Sequence, residues 1–125
     1  MLLDSVIVID HLNGLPAATR FIAANSRKLV LSHITMAEVL AGLPESKHPP
    51  ILRLFARFPC LPLTTEIAVR AAILRRSERW KLPDALQAAM VMETGRRLVT
   101  RNVKDFPPAR HPFVLVPYDP PPAES

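Results

Sequence analysis

The stretch Leu2-Leu3-Asp4-Ser5-Val6-Ile7-Val8-Ile9 decides the fold of this chain. It is apolar and β-branched, it contains no turn residue, and only Asp4 and Ser5 interrupt it. Such a run predicts a buried strand that passes into a short helix. Ligands of open parallel sheets bind outside the carboxyl ends of the strands. The stretch therefore indicates an α/β protein in which Asp4 lies at the ligand-binding edge of the sheet.

Short apolar strands alternate with helices along the rest of the chain. We expect further strands at 29–31, 61–63, 98–100 and 114–116. We expect helices at 17–25, from Thr35 to Gly42, at 51–57, from Thr64 or Thr65 onward, and from Pro83 to Gly95. The strand at 61–63 is predicted to be an edge strand, because it contains a proline. This alternation predicts a three-layer α/β/α fold around a central parallel sheet.

Acidic residues recur where the predicted strands and helices meet. Asp84 lies in the first turn of an apolar helix, directly after Pro83, which suits the first helical position. Glu38 lies about one turn into another helix, and Asp105 follows the strand at 98–100 by a few residues. Carboxylates that converge in one crevice repel one another unless a cation offsets their charge. The pattern therefore suggests a site for Mg²⁺ or Mn²⁺, which prefer oxygen ligands.

Four stretches follow one another from residue 2 to residue 106: Leu2-Leu3-Asp4-Ser5 with the apolar run after it, Ile34-Thr35-Met36-Ala37-Glu38-Val39-Leu40-Ala41-Gly42, Leu82-Pro83-Asp84-Ala85-Leu86, and Leu98-Val99-Thr100-Arg101-Asn102-Val103-Lys104-Asp105-Phe106. In this order they resemble the motifs of PIN-domain ribonucleases. More narrowly, they resemble VapC-type toxins of bacterial toxin–antitoxin pairs. Each motif alone is weak, whereas four in order form a strong signal that spans nearly the whole chain.

The resemblance implies a Mg²⁺- or Mn²⁺-dependent endoribonuclease that cleaves RNA phosphodiester bonds. The acids of the family map onto Asp4, Glu38 and Asp84, which would hold the metal. Asn102 occupies the position at which many members have a fourth acid, and Asp105 is the alternative residue to complete the site. The resemblance also implies a homodimer and a cognate antitoxin protein that blocks the site.

Composition is consistent with this hypothesis but does not establish it. The 125 residues suffice for one domain, predicted at 1–118, with a proline-rich tail at 119–125. The net charge of +5 favours polyanionic partners such as RNA, or an acidic protein segment. Cys60 is the single cysteine, which excludes an intrachain disulfide and favours a reducing compartment. Because no apolar run is long enough to cross a bilayer, we expect a cytoplasmic protein without membrane contact.

Two other functions remain open from the sequence. The first is a PIN-like module that binds RNA or protein without cleaving it, which the amide at Asn102 suggests. The second is a phospho-acceptor signalling domain, which requires an acceptor Asp after the middle strand; residues 61–64 offer none. The sequence has no Gly-rich dinucleotide or nucleotide loop and no serine nucleophile motif.

Several other side chains carry expectations that a structure can test. Asp10 either lies near the site or is a surface acid of the first helix, and we expect the second. The hydroxyls of Ser5 and Thr100 either orient a carboxylate or water, or bond local backbone. The basic cluster 75–81 either grips RNA phosphates or is an exposed helix end. Within it, we expect Trp80 to pack on the fold rather than stack on RNA bases, and we expect Cys60 to be buried.

Overall fold

The computed structural model describes residues 1–119, which form a parallel sheet between layers of helices. β1 pairs with β4 and β4 with β5, while β2 pairs with β3, and every pairing is parallel. A parallel bridge between Leu2 and Val30 joins the two groups of strands, so the order is β3-β2-β1-β4-β5. The strands are β1 (Leu2–Leu3), β2 (Leu31–Ser32), β3 (Cys60–Leu61), β4 (Leu98–Val99) and β5 (Val114–Leu115).

Helices connect the strands and cover both faces of the sheet. They are α1 (Ser5–Leu12), α2 (Pro16–Asn25), α3 (His33–Ala41), α4 (His48–Phe55), α5 (Thr65–Glu78) and α6 (Leu82–Thr94). This arrangement confirms the predicted three-layer α/β/α fold with a central parallel sheet. The predicted boundary at residue 118 stays a prediction, because all of the tail except Asp119 lies outside the described residues.

The side chains of β1 and β4 point alternately to the two faces of the sheet and contribute to a separate apolar core on each face. Leu2 and Leu98 belong to one core and Leu3 and Val99 to the other, because successive strand residues point to opposite faces. The first core is completed by α5 and α6, through residues that include Ile67, Ala71, Ala88 and Met90. The second is completed by α1, α3 and α4, through residues that include Ile7, Val39, Ile51 and Phe55. Both faces of the sheet are therefore buried, as expected for parallel strands.

The largest differences from the predicted helix boundaries are at α3 and α4, whereas α2 and α6 each begin one residue earlier than predicted, so that Pro83 is the second and not the first residue of α6. Ser32, and not Thr35, is the N-cap of α3: its extended backbone lets its hydroxyl oxygen accept the Thr35 N–H at 3.0 Å. α4 begins at His48 and ends at Phe55, so it starts and ends earlier than the predicted 51–57. Proline is tolerated in the first turn of a helix, which is why the helix starts ahead of the Pro49-Pro50 pair. Thr64 caps α5 as one of the two predicted candidates.

Two single residues complete the comparison with the sequence. Trp80 is 5% exposed and its ring packs against that of Phe106, which confirms that it packs on the fold. Cys60 is only partly buried because it lies on β3, an edge strand, so the expected full burial was wrong. Within residues 1–119, no helix has both the length and the apolar character needed to cross a membrane.

Candidate active site

Asp4 stands where β1 ends and α1 begins, and two hydrogen bonds fix its carboxylate. Oδ1 accepts the backbone N–H of Ser5 at 2.8 Å, and Oδ2 accepts the hydroxyl of Thr100 at 2.7 Å. Thr100 therefore orients a carboxylate, which was one of the two roles proposed for it. Asp4 is 5% exposed. Burial raises its pKa, while the hydrogen bonds from Thr100 and Ser5 and the side chain of Gln87 lower it.

Asp84 lies in the first turn of α6 and shares a cavity of about 330 Å³ with Asp4. Burial raises the pKa of Asp84 to about 6, with further contributions from the negative charges of Asp4 and Asp105. The nearby ammonium of Lys81 partly offsets this increase in the pKa. The cavity thus holds two acids that disfavour each other's ionisation.

Glu38 projects from α3 and is half-buried. Burial raises its pKa first, and the charges of Asp4 and Asp84 raise it further, while the side chain of Ser5 lowers it. The three carboxylates therefore lie within electrostatic range of one another, although they come from β1, α3 and α6. Asp4 and Glu38 follow β1 and β2, as expected, whereas Asp84 follows helix α5 and not a strand, so the expected strand-to-helix junction was wrong for Asp84.

Asn102 and Asp105, the two candidates for the fourth acidic position of the family, line different cavities. Asn102 lines the cavity together with Asp4 and Asp84, whereas Asp105 lines a neighbouring cavity. The backbone N–H of Asn102 donates to the Thr100 hydroxyl at 3.0 Å, and its Nδ2 donates to the Asp105 carboxylate at 2.9 Å. Asn102 is thus on the wall of the cavity, and Asp105 stands behind it as a hydrogen-bond acceptor.

A buried polar network beneath the site was not predicted. Gln87 is 1% exposed; its Oε1 accepts the Ser32 hydroxyl at 2.7 Å and its Nε2 donates to the Thr35 hydroxyl oxygen at 2.7 Å. Thr35 in turn donates to the carbonyl of Leu3 at 3.3 Å. The network links α6, α3 and β1, the elements that carry the three acids. The only signal in the sequence is a single amide in the apolar run 85–91.

Asp10 corrects another expectation. It is 6% exposed and not a surface acid, because its carboxylate accepts Arg101 Nε at 2.6 Å, Arg101 Nη2 at 2.9 Å and the Tyr118 hydroxyl at 2.7 Å. The hydrogen bonds from Arg101 hold the pKa of Asp10 below its usual value. Arg101 also lines the cavity with Asp4, so this cluster anchors the cavity wall to α1 and to the segment at Tyr118.

The donor set fits a divalent cation in its chemistry. Carboxylate oxygens of Asp4, Glu38 and Asp84 are the hard ligands that Mg²⁺ and Mn²⁺ prefer. Their raised pKa values reflect crowded negative charge that a cation would relieve. In the part of the chain that is described, no three acidic, histidine or cysteine side chains already converge as a closed ligand set.

The family model for the PIN domain matches residues 1–107. This chain belongs to the PIN-domain family. Among curated relatives, a Mycobacterium tuberculosis protein named Ribonuclease VapC10 is 33% identical over 114 residues, which cover 86% of each chain. A second protein from that organism, named Ribonuclease VapC19, is 32% identical over 114 residues, which cover 85% of this chain and 91% of its own. The PIN domain described here therefore groups with the VapC proteins.

Solved structures agree with this assignment. A chain of a toxin–antitoxin complex from Klebsiella pneumoniae superposes on this PIN domain with a TM-score of 0.83 and 33% identity. The match covers 94% of this chain and 98% of that chain. The likeness therefore spans the whole layered fold, including the end of the sheet where Asp4 and Asp84 lie.

Proposed function

We propose that this PIN domain is a Mg²⁺- or Mn²⁺-dependent endoribonuclease and the toxin of a toxin–antitoxin pair. The observation that carries the proposal is that Glu38 lies within electrostatic range of the two acids that line one cavity, Asp4 and Asp84, on a fold whose relatives are named ribonucleases. Three acids held together at a cost in repulsion are typical of a site that binds a cation.

Asp4 and Asp84 would hold the ion most directly, and Glu38 would hold it directly or through water. Asn102 would complete the wall of the site. When bound, Mg²⁺ or Mn²⁺ supplies a water of lowered pKa and stabilises negative charge on phosphoryl oxygens. The support for these roles is the cavity shared by Asp4, Asp84 and Asn102, the effect of the charges of Asp4 and Asp84 on Glu38, the fixed carboxylate of Asp4 and the oxygen chemistry of the donors.

Other side chains of the cavity would bind and orient the substrate. Arg101 and Lys104 line the same cavity as Asp4 and bring positive charge to a place where RNA phosphates would enter. Asp10, which also accepts the Tyr118 hydroxyl, holds the Arg101 side chain in place. Arg101 would therefore lose less conformational entropy when RNA binds. Asp105 would act on the site through Asn102 by accepting a hydrogen bond from its amide.

A cognate antitoxin is the proposed protein partner. The K. pneumoniae chain that covers almost all of this PIN domain comes from a toxin–antitoxin complex. We propose that an antitoxin binds this chain and blocks the acidic cavity, and that the toxin itself is a homodimer. The net charge of +5 suits an acidic segment of such a partner as well as it suits RNA.

Cleavage of a labelled RNA pool by protein stripped with EDTA tests the nuclease assignment. We expect cleavage only after Mg²⁺ or Mn²⁺ is added, and we expect Asp84→Asn to abolish it. The matched control is Glu45→Gln, which removes an exposed acid from another part of the surface and should leave cleavage unchanged. Cleavage that persists in chelator and in Asp84→Asn would contradict the proposal. RNA binding without any cleavage would favour the binding module instead.

A further inference from the structure

Three aromatic rings fasten two connections to one another beside the candidate site: the turn between α5 and α6, which carries Trp80, and the connection between β4 and β5, which carries Phe106 and His111. Trp80 packs against Phe106 with ring centroids 4.8 Å apart and against His111 with centroids 5.1 Å apart. All three residues are buried. The indole Nε1 of Trp80 also donates to the carbonyl of Asp105 at 2.8 Å, and Arg75 Nη1 donates to the Trp80 carbonyl at 2.9 Å. The loops that carry these rings are therefore held in a fixed relation.

A basic residue precedes each of these rings in sequence. Arg79 directly precedes Trp80, Lys104 lies two residues before Phe106, and Arg110 directly precedes His111. The three basic side chains line one cavity of about 200 Å³. The aromatic cluster thus gathers three cations from these two connections around one small space.

The two acids that line this cavity, Glu78 and Asp105, form an ion pair with only one of its three basic side chains. Glu78 pairs with Arg110 at 3.0 Å, and the carboxylate of Asp105 accepts the amide of Asn102 at 2.9 Å. Among the described residues, neither Arg79 nor Lys104 forms an ion pair. Arg79 and Lys104 therefore remain available to an anion, and Arg110, whose side chain is 67% exposed, can exchange its surface ion pair with Glu78 for a phosphate.

The backbone at Arg79 is a further sign that this side chain has a role. Arg79 caps the end of α5 with φ 60° and ψ 26°, a left-handed conformation in which glycine is favoured. A side chain here carries a steric cost, and residues held in such conformations cluster at binding sites. The hydrogen bonds of Trp80 on the adjoining turn keep the position in place.

The cavity is a neighbour of the acidic cavity, because Lys104 lines both of them. An RNA strand cut beside Asp84 would therefore pass Lys104 as it leaves the acidic cavity. Trp80 is 5% exposed and packed on both sides, so its ring offers no platform on which a base could stack. The exposed chemistry of the second cavity is positive charge, which binds phosphates without reading bases.

We propose that Arg79, Lys104 and Arg110 form a backbone-phosphate subsite for single-stranded RNA, next to the point of cleavage. The proposal rests on the proposed nuclease function for its substrate class. It implies that RNA long enough to reach from the acidic cavity past Lys104 binds more tightly than shorter RNA. It also implies that this gain depends on salt and not on base sequence.

The test compares the double variant Arg79→Gln/Arg110→Gln with Arg20→Gln/Arg53→Gln, which removes the same charge from exposed positions on α2 and α4. Lys104 is left unchanged because it also lines the acidic cavity. Affinity is measured in EDTA, where no cleavage is expected, by fluorescence anisotropy at several salt concentrations. The probes are labelled single-stranded RNAs of roughly twelve and roughly four nucleotides, which bracket the size of a short binding groove. Thermal melting checks that the variants are folded.

For the longer RNA we expect the slope of log affinity against log salt to fall by about 1.4, at about 0.7 for each lost phosphate contact. The ratio of the RNA affinity of the wild type to that of the double variant should therefore fall about sevenfold between 50 and 200 mM salt. The shorter RNA and the control variant should show no such change. This result would support the subsite even if no nuclease activity were found, in which case the proposed function alone would fail.

Three outcomes would overturn the subsite. The first is an equal loss of affinity for the short and the long RNA. The second is an equal loss in the Arg20→Gln/Arg53→Gln control, because the effect would then reflect net charge alone. The third is unchanged RNA binding together with weakened binding of poly-glutamate, which would assign the cavity to an acidic protein segment.

Discussion

At the scale of single residues, the site is dominated by carboxylates that are harder to ionise than usual. The pKa of Asp84 is raised to about 6 by burial and by the charges of Asp4 and Asp105. An unfolded aspartate titrates near 3.9. The fold without metal therefore gains stability from Asp84 at low pH and loses that gain as the pH rises through about 6.

Asp84→Asn should consequently stabilise the metal-free protein above pH 6. We expect a gain of about 1 kcal/mol in the free energy of unfolding, after discounting the shift for solvent screening. In a chain of this length such a gain corresponds to roughly 4 °C in Tm. The gain should vanish below about pH 4, where the carboxyl is protonated in both states. Thermal melts in EDTA at pH 4 and pH 7 measure it, and an Asp84→Asn protein that melts lower at pH 7 would indicate a structural carboxylate.

Mg²⁺ binding by two variants, Asn102→Asp and Asp105→Asn, decides which residue occupies the fourth position of the site. Asn102→Asp should tighten Mg²⁺ binding several-fold, because it adds a negative charge on the cavity wall. It should also lower Tm in EDTA, because the new carboxylate replaces an amide that donates to Asp105. Asp105→Asn should change Mg²⁺ affinity by less than about twofold, because solvent and salt weaken its influence on the ion. A large loss of affinity in Asp105→Asn would make Asp105 the ligand instead.

At the scale of elements, local pattern predicted most of what was found. Strand-to-helix runs such as 2–9 were assigned correctly because apolar runs and turn residues are local signals. The error at Ser32 arose because both Ser32 and Thr35 are good caps, and only the backbone conformation decides between them. The pairing of Asp10 with Arg101 crosses 91 residues, and local pattern carries no information about such a contact.

The hydrogen-bond network around Gln87 also joins residues that are far apart in the sequence. Its hydrogen bonds join residues 52 and 55 positions apart and connect the helices of Glu38 and Asp84. Gln87→Met removes the amide but keeps an unbranched chain of similar length, and it leaves the hydroxyls of Ser32 and Thr35 without these partners. We expect a loss of about 1–3 kcal/mol in the free energy of unfolding, because a buried polar group left unpaired bears its full desolvation cost.

The control for this prediction is Gln87→Glu, measured at low pH. A protonated glutamate both accepts and donates, so it should recover part of the lost stability there. The free energy of unfolding is obtained from urea denaturation of all three proteins. If Gln87→Met were as stable as the wild type, the network would not contribute to the joining of α3 and α6.

At the scale of the whole molecule, the fold explains how a protein with a net positive charge has several acids close together. The parallel sheet brings the ends of β1 and β4 together, and the helices that follow β2 and precede β4 supply the remaining acids. The chain carries a net charge of +5, so its overall charge favours polyanionic partners although the cavity is acidic. This combination suits a polyanionic substrate, and Asp4, Glu38 and Asp84 would hold a cation that offsets their charge.

Calorimetric titration of Mg²⁺ into EDTA-stripped protein tests the central claim, that Asp4, Glu38 and Asp84 together bind a divalent cation. The account predicts saturable binding to the wild type, weaker binding to Glu38→Gln and no measurable binding to Asp84→Asn, with Glu45→Gln unchanged. Hard cations bind more weakly as the charge of their ligands falls, so this order follows from the donor set. Equal Mg²⁺ affinity in the wild type and Asp84→Asn would contradict the account.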